Sequence, residues 1–114
     1  MEIKGENYTI GYESDTATVN FQGSLRLVGM AEYKPIIEIL DSAIAENPST
    51  ITLNLRELHF LNSSGISMLS KFVIGIRKKK TISIVVKGSK KIPWQSKSLK
   101  NLQRLMPQLI LELE

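Results

Sequence analysis

The chain has 114 residues, 42% of them hydrophobic and 23% charged, with four prolines and a formal net charge of +4. Such a length is too short for two independent cores, and such a composition is too apolar for a disordered chain, so one soluble globular domain spanning residues 1–114 is expected. The absence of cysteine excludes disulfides and thiolate metal sites.

The opening run Met1-Glu2-Ile3-Lys4-Gly5-Glu6 lacks the basic-then-apolar order of a signal peptide, and no apolar run approaches the roughly 18 residues of a membrane span. A cytoplasmic setting with no membrane contact is therefore expected. Tyr8–Tyr12 and Ala17–Gln22 alternate apolar with polar side chains around the turn-like Glu13-Ser14-Asp15, which predicts a hairpin. Gly23 and Gly29 bracket a loop. Beyond it Ile36, Ile37, Leu40, Ala43 and Ile44 recur at three- and four-residue spacing, the pattern of a helix with one buried stripe. Pro35 is expected in the first turn of that helix, where its missing N–H costs little.

Asn47-Pro48-Ser49 stops the helix, because a residue preceding proline is pushed out of the helical region. Thr50–Leu55 then alternates strictly, as a strand with one buried face does. Ile66, Leu69, Val73 and Ile76 return to helical spacing, with Asn62 or Ser63 as N-cap and Arg77-Lys78-Lys79-Lys80 complementing the negative end of the dipole, so a helix over about 64–78 is expected. Thr81–Val86 is β-branched and apolar enough to predict a strand buried on both faces. Trp94, Leu99, Leu102 and Leu105 or Met106 predict a third helix closed by Pro107, and Leu109-Ile110-Leu111 could add a last strand. The order predicts an α/β domain: a mixed four- to five-stranded sheet with helices packed on it and right-handed crossovers.

Charge is unevenly spread. From Leu58 through Leu111 there are eleven Lys or Arg and no Asp or Glu, whereas residues 1–57 are net acidic. A solvated basic face, or a field that favours an acidic partner or a phosphate, accounts for this. Nucleic-acid binding is not expected, since no helix-turn-helix spacing is present and Tyr8 and Tyr12 lie far from the basic cluster.

Catalytic chemistry is poorly provided for. The single histidine, His59, has no paired metal-ligand spacing around it, and Lys87-Gly88-Ser89-Lys90 lacks the glycine that opens a phosphate loop. No enzyme activity, cofactor or metal is expected.

The most informative segment runs from Leu53 to Ile66: a strand, a short apolar stretch, then Asn62-Ser63-Ser64-Gly65 at a helix start. It resembles the pattern of STAS domains, the family of the bacterial anti-sigma-factor antagonists, in which a strand leads into Asp-Ser-Ser-Gly and an amphipathic helix. Gly23-Ser24-Leu25 is similar to the family's Gly-x-Leu, and the element order is similar over nearly the whole chain. The resemblance implies a protein–protein regulator in which the second serine, Ser64 here, is phosphorylated by a partner kinase that is also an anti-sigma factor, with a phosphatase reversing it. This sequence departs from the pattern at Asn62, which stands where the family has an acid.

The chemistry of such a switch is sound on its own terms. A phosphate on a serine in the first turn of a helix meets favourable backbone amides, so the fold survives while about −1.5 to −2 charge units enter a contact patch. The expected partner surface is Asn62, Ser63, Ser64, Gly65, Ser67, Met68 and Lys71, with Gly65 keeping the turn uncrowded. The alternative expectation is a constitutive scaffold or ligand-sensing domain of the same type whose turn is never phosphorylated.

Overall fold

A computed structural model describes residues 1–114. Six strands form one sheet in sequence order: β1 (Glu2–Lys4), β2 (Tyr8–Glu13), β3 (Thr18–Leu25), β4 (Thr50–Leu61), β5 (Ser83–Gly88) and β6 (Ile110–Leu113). Three helices connect them, α1 (Gly29–Ala45), α2 (Ser63–Lys79) and α3 (Gln95–Leu105). The first three strands are antiparallel, while β3, β4, β5 and β6 run parallel.

Since each parallel step moves the same way across the sheet, right-handed crossovers bring all three helices to one face. The burial pattern agrees. Ile51, Leu53 and Leu55 of β4 are fully buried, and Thr52 and Asn54 between them are only half-buried. The helices α1, α2 and α3 pack side by side over a single core of 26 buried residues.

This arrangement corrects the expectation for the strand after α2. Ile84 and Val86 of β5 are buried, but Ser83 is exposed and Val85 and Lys87 are half-buried, so only one face is covered. β-Branched composition marks a strand without telling how many of its faces are covered. The sheet also has six strands where four or five were expected. β1 escaped notice because only Ile3 of its three residues is apolar, and it adds to the hairpin by pairing Ile3 with Ile10.

Pro35 is likewise displaced from its expected place. α1 begins six residues earlier, at Gly29, and Pro35 sits in its second turn on the solvent side, where the carbonyl it leaves unpaired can meet water. Tyr33, fully buried three residues before Ile36, extends the apolar stripe of α1 through the proline.

β4 is twice as long as its alternating part. Its pairing with β3 shifts between Asn20 and Gln22 and again between Gly23 and Ser24, so β4 carries one extra residue at each bulge. Each extra residue resets the two-residue alternation. The buried positions consequently run Leu55, Leu58, Leu61, and the strand still delivers its apolar side chains to the core as it reaches α2.

At the other end of α1, Tyr12 and Ser14 both donate to Glu46 Oε1, at 2.7 and 2.8 Å, clasping the β2–β3 turn. These two hydrogen bonds, that from Tyr12 first, hold the Glu46 carboxyl below its ordinary value of 4.5. A depressed folded-state pKa means a contribution present above the unfolded value and lost as pH falls through the folded one. In thermal melts from pH 7 downward, the advantage of wild type over Glu46→Gln is therefore expected to persist to about pH 4.5 and then vanish. An advantage that does not change with pH would contradict the clasp.

Candidate functional site

In parallel strands joined by helices, the helix N-termini gather beyond the carboxyl ends of the strands. Here α1 leaves β3 and α2 leaves β4 side by side, which places the Asn62-Ser63-Ser64-Gly65 turn against the Leu27-Val28-Gly29 turn. Asn62, in extended backbone at φ −81°, is the N-cap of α2. Its Oδ1 accepts from Gly65 N at 3.0 Å and from the Tyr33 hydroxyl at 2.7 Å, while its Nδ2 donates to Leu27 O at 2.7 Å.

That set of partners explains why an amide stands here. Aspartate could accept the first two bonds, but its second oxygen would face the Leu27 carbonyl oxygen with no hydrogen between them. Asn62 therefore works as a three-way tie among α1, α2 and the β3–α1 turn. Burial pushes the pKa of the Tyr33 phenol up to about 12, so it remains a hydrogen-bond donor at any physiological pH.

Gly65, expected on the partner surface, is instead buried. A Cβ there would point inward, overlapping the Leu61 side chain and lying 2.7 Å from the Tyr33 oxygen. The glycine keeps the interior of the turn clear, not its outer surface. Met68 is also corrected: it is only 2% exposed, because it falls on the core stripe with Gly65, Leu69 and Phe72. It lines a small apolar groove of about 180 Å³ between α1 and α2, together with Met30, Ile37, Leu40 and Phe72.

Ser63, Ser67 and Lys71 are exposed and share one side of α2 at four-residue intervals. Ser64 is half-buried at the seam between the two turns. Its Oγ accepts from Gly29 N at 3.3 Å and donates to no group of the chain, leaving the hydroxyl hydrogen available. Gly29 adopts φ +69°, a left-handed conformation that turns its amide toward Ser64 and that side-chain-bearing residues rarely adopt. The neighbouring Val28 N donates to Glu32 Oε1 at 2.9 Å.

Several residues of this region carried no sequence signal. Val28 is 71% exposed and Phe60 37%, the latter covered by the Arg26 guanidinium 4.4 Å from its ring centroid. Single exposed apolar residues are common and invite no attention until the fold puts them near the serine turn. His59 is exposed and lies with Glu57, Glu6 and Asn7 along a shallow hollow on the β1–β2 side, apart from the serines.

No protein-family model matches the sequence, and no curated protein matches it. Solved structures do. SiaC of Pseudomonas aeruginosa superposes with a TM-score of 0.73 at 12% identity, covering 100% of this chain and 96% of SiaC. The complex of the diguanylate cyclase SiaD with its activator SiaC, also from Pseudomonas aeruginosa, gives 0.76 at 12% identity over 100% of this chain and 99% of the matched one. An anti-sigma factor antagonist from Mycobacterium paratuberculosis gives 0.57 at 16% identity over 96% of this chain and 82% of that one. At these identities the likeness speaks for the fold alone: the chain is a single α/β domain folded like SiaC and like an anti-sigma factor antagonist.

Proposed function

We propose that this chain is a partner-switching regulator that acts by binding and not by catalysis. The unmodified turn at Ser63 and Ser64 docks on a protein partner, and phosphorylation of Ser64 ends the complex. The observation that carries this reading is the state of Ser64: half-exposed, held by the Gly29 amide, and with its own hydrogen uncommitted. A kinase would transfer the terminal phosphoryl group of a nucleoside triphosphate to Oγ. The Oγ–P bond forms, the hydroxyl proton leaves to the kinase's base, and nucleoside diphosphate departs.

The structural relatives support a protein partner in general. SiaC is the activator of a diguanylate cyclase, and the mycobacterial protein antagonises an anti-sigma factor. The partner proposed here is accordingly an effector protein or a serine kinase of the anti-sigma-factor type, in the cytoplasm, with a phosphatase restoring the free hydroxyl. The docking surface is the exposed row Ser63, Ser67 and Lys71, with Ser64 at its edge and Val28 across the seam.

A constitutive scaffold is the second reading, favoured by the bond that Ser64 already makes to Gly29. Affinity for the partner isolated from the native complex separates the two. Under the switch reading Ser64→Glu binds roughly 100-fold more weakly, as expected when a charge is forced without a counter-ion into a desolvated contact. Phosphopeptide mapping after kinase treatment then finds the modification on Ser64. Equal affinity for wild type and Ser64→Glu, with no phosphate on Ser64, leaves the scaffold.

A further inference from the structure

Two successive amides at the start of α1 have been taken by side chains from different helices. Val28 N donates to the Glu32 carboxylate at 2.9 Å, and Gly29 N donates to Ser64 Oγ at 3.3 Å. The positive end of the α1 dipole is thus shared between an anion that is always present and a hydroxyl that is neutral until modified. Glu32 takes part in none of the three ion pairs of the chain, so no lysine or arginine offsets its charge.

Resting on the reading of Ser64 as the modified residue, we propose that Glu32 is the counterweight of the switch: negative charge placed on Ser64 expels the Glu32 carboxylate from Val28 N and loosens the β3–α1 turn. Modification then changes the shape of the docking surface as well as its charge. The physical ground is that a phosphate brings three acceptor oxygens to amides that are already half-occupied by another anion. Two anions beside adjacent N–H groups repel, and the one attached through a flexible side chain gives way. The segment that it releases carries Val28, the most exposed large apolar side chain of the protein, at 71%. Asn62 limits the movement, because its Nδ2 still holds Leu27 O from α2.

Backbone hydrogen exchange at Val28 and Gly29, followed by NMR in the full chain, tests this without any partner. Ser64→Asp is compared with the neutral Ser64→Asn, each in the wild-type and Glu32→Gln backgrounds. In the wild-type background Ser64→Asp is expected to speed Val28 exchange at least about fivefold, the ratio for two like charges near 4 Å even at the dielectric of water. With Glu32→Gln, which keeps an acceptor but no charge, the acceleration falls below about twofold, since the like-charge repulsion is gone. Ser64→Asn leaves exchange unchanged in both backgrounds. Equal acceleration with and without the Glu32 charge, or none at all, overturns the proposal. Should Ser64→Asp fail to fold, recovery of folding in the Glu32→Gln background supports it and persistent unfolding overturns it. The switch itself is judged separately: loss of partner binding by Ser64→Glu with unchanged Val28 exchange keeps the switch and removes the counterweight, and the reverse pattern does the opposite.

Discussion

Gln95→Leu is expected to lower the unfolding free energy by about 3 kcal/mol, because each buried backbone group left unpaired costs roughly 1–3 kcal/mol. Gln95 is the one fully buried polar side chain of the protein, at 0% exposure. Its Nε2 donates to Leu55 O at 2.6 Å and Leu58 O at 2.9 Å, and its Oε1 accepts from Ser89 N at 2.7 Å. The need for it comes from the sheet. Pairing between β4 and β5 ends at Asn54 with Lys87, whereas β4 runs on to Leu61, so its later carbonyls on that side have no strand to meet.

Trp94 Nε1 shares Leu58 O at 3.1 Å, so the group orphaned most completely by the substitution is Leu55 O, followed by Ser89 N. In a domain near this size each kcal/mol moves the melting temperature by roughly 4–8 °C, and a fall of more than about 10 °C is expected in a thermal melt. A variant that melts within about 2 °C of wild type would show that water or a neighbouring donor replaces the amide, and that Gln95 is not what permits β4 to outrun β5.

Gly65→Ala is the second large effect. Here one methyl group is added to the interior of the switch turn, overlapping Leu61 and approaching Tyr33 Oη to 2.7 Å. Overpacking of this kind costs roughly 1–3 kcal/mol. It has a functional consequence beyond stability, since Tyr33 can yield only by leaving Asn62 Oδ1, the atom that also caps Gly65 N. A displaced cap moves the backbone of Ser63 and Ser64, so weakened partner binding is expected to accompany the lower melting point. Ser63→Ala serves as the outward-facing comparison and is expected to change stability by no more than about 0.5 kcal/mol, as surface substitutions usually do. If Gly65→Ala were as stable as wild type, the interior of the turn would have to be looser than the contacts of Gly65 describe.

Much of the architecture was readable from local pattern. The alternation in Tyr8–Tyr12, Ala17–Gln22 and Thr50–Leu55 marked β2, β3 and the first half of β4, and the spacing of Ile66, Leu69, Val73 and Ile76 marked α2 to within a residue at either end. These signals are legible because side-chain direction repeats every two residues in a strand and every 3.6 in a helix, whatever the rest of the chain does. The start of α1 was not legible. Pro35 looked like a boundary, and only the burial of Tyr33 in the core shows that the apolar stripe runs back through the proline in a helix that starts at Gly29.

The serine turn divides in the same way. Asn62 could be read as a capping residue, and Ser63 and Ser64 as the beginning of a helix, from their types and order alone. What the residues face was decided by the tertiary structure. The tie from Asn62 to Leu27 spans 35 residues, that from Ser64 to Gly29 also 35, and that from Gln95 to Leu55 spans 40. Met68 and Gly65 were counted in the expected partner surface, and the fold buries both. By itself, then, the sequence determined the periodic strands and helices, though not β1 or the start of α1, and where a hydroxyl-rich helix start would fall. Strand order, the common face of the helices and the partners of Asn62, Ser64 and Gln95 came from tertiary structure alone, because hydrogen-bond satisfaction is settled between segments that periodicity treats as independent.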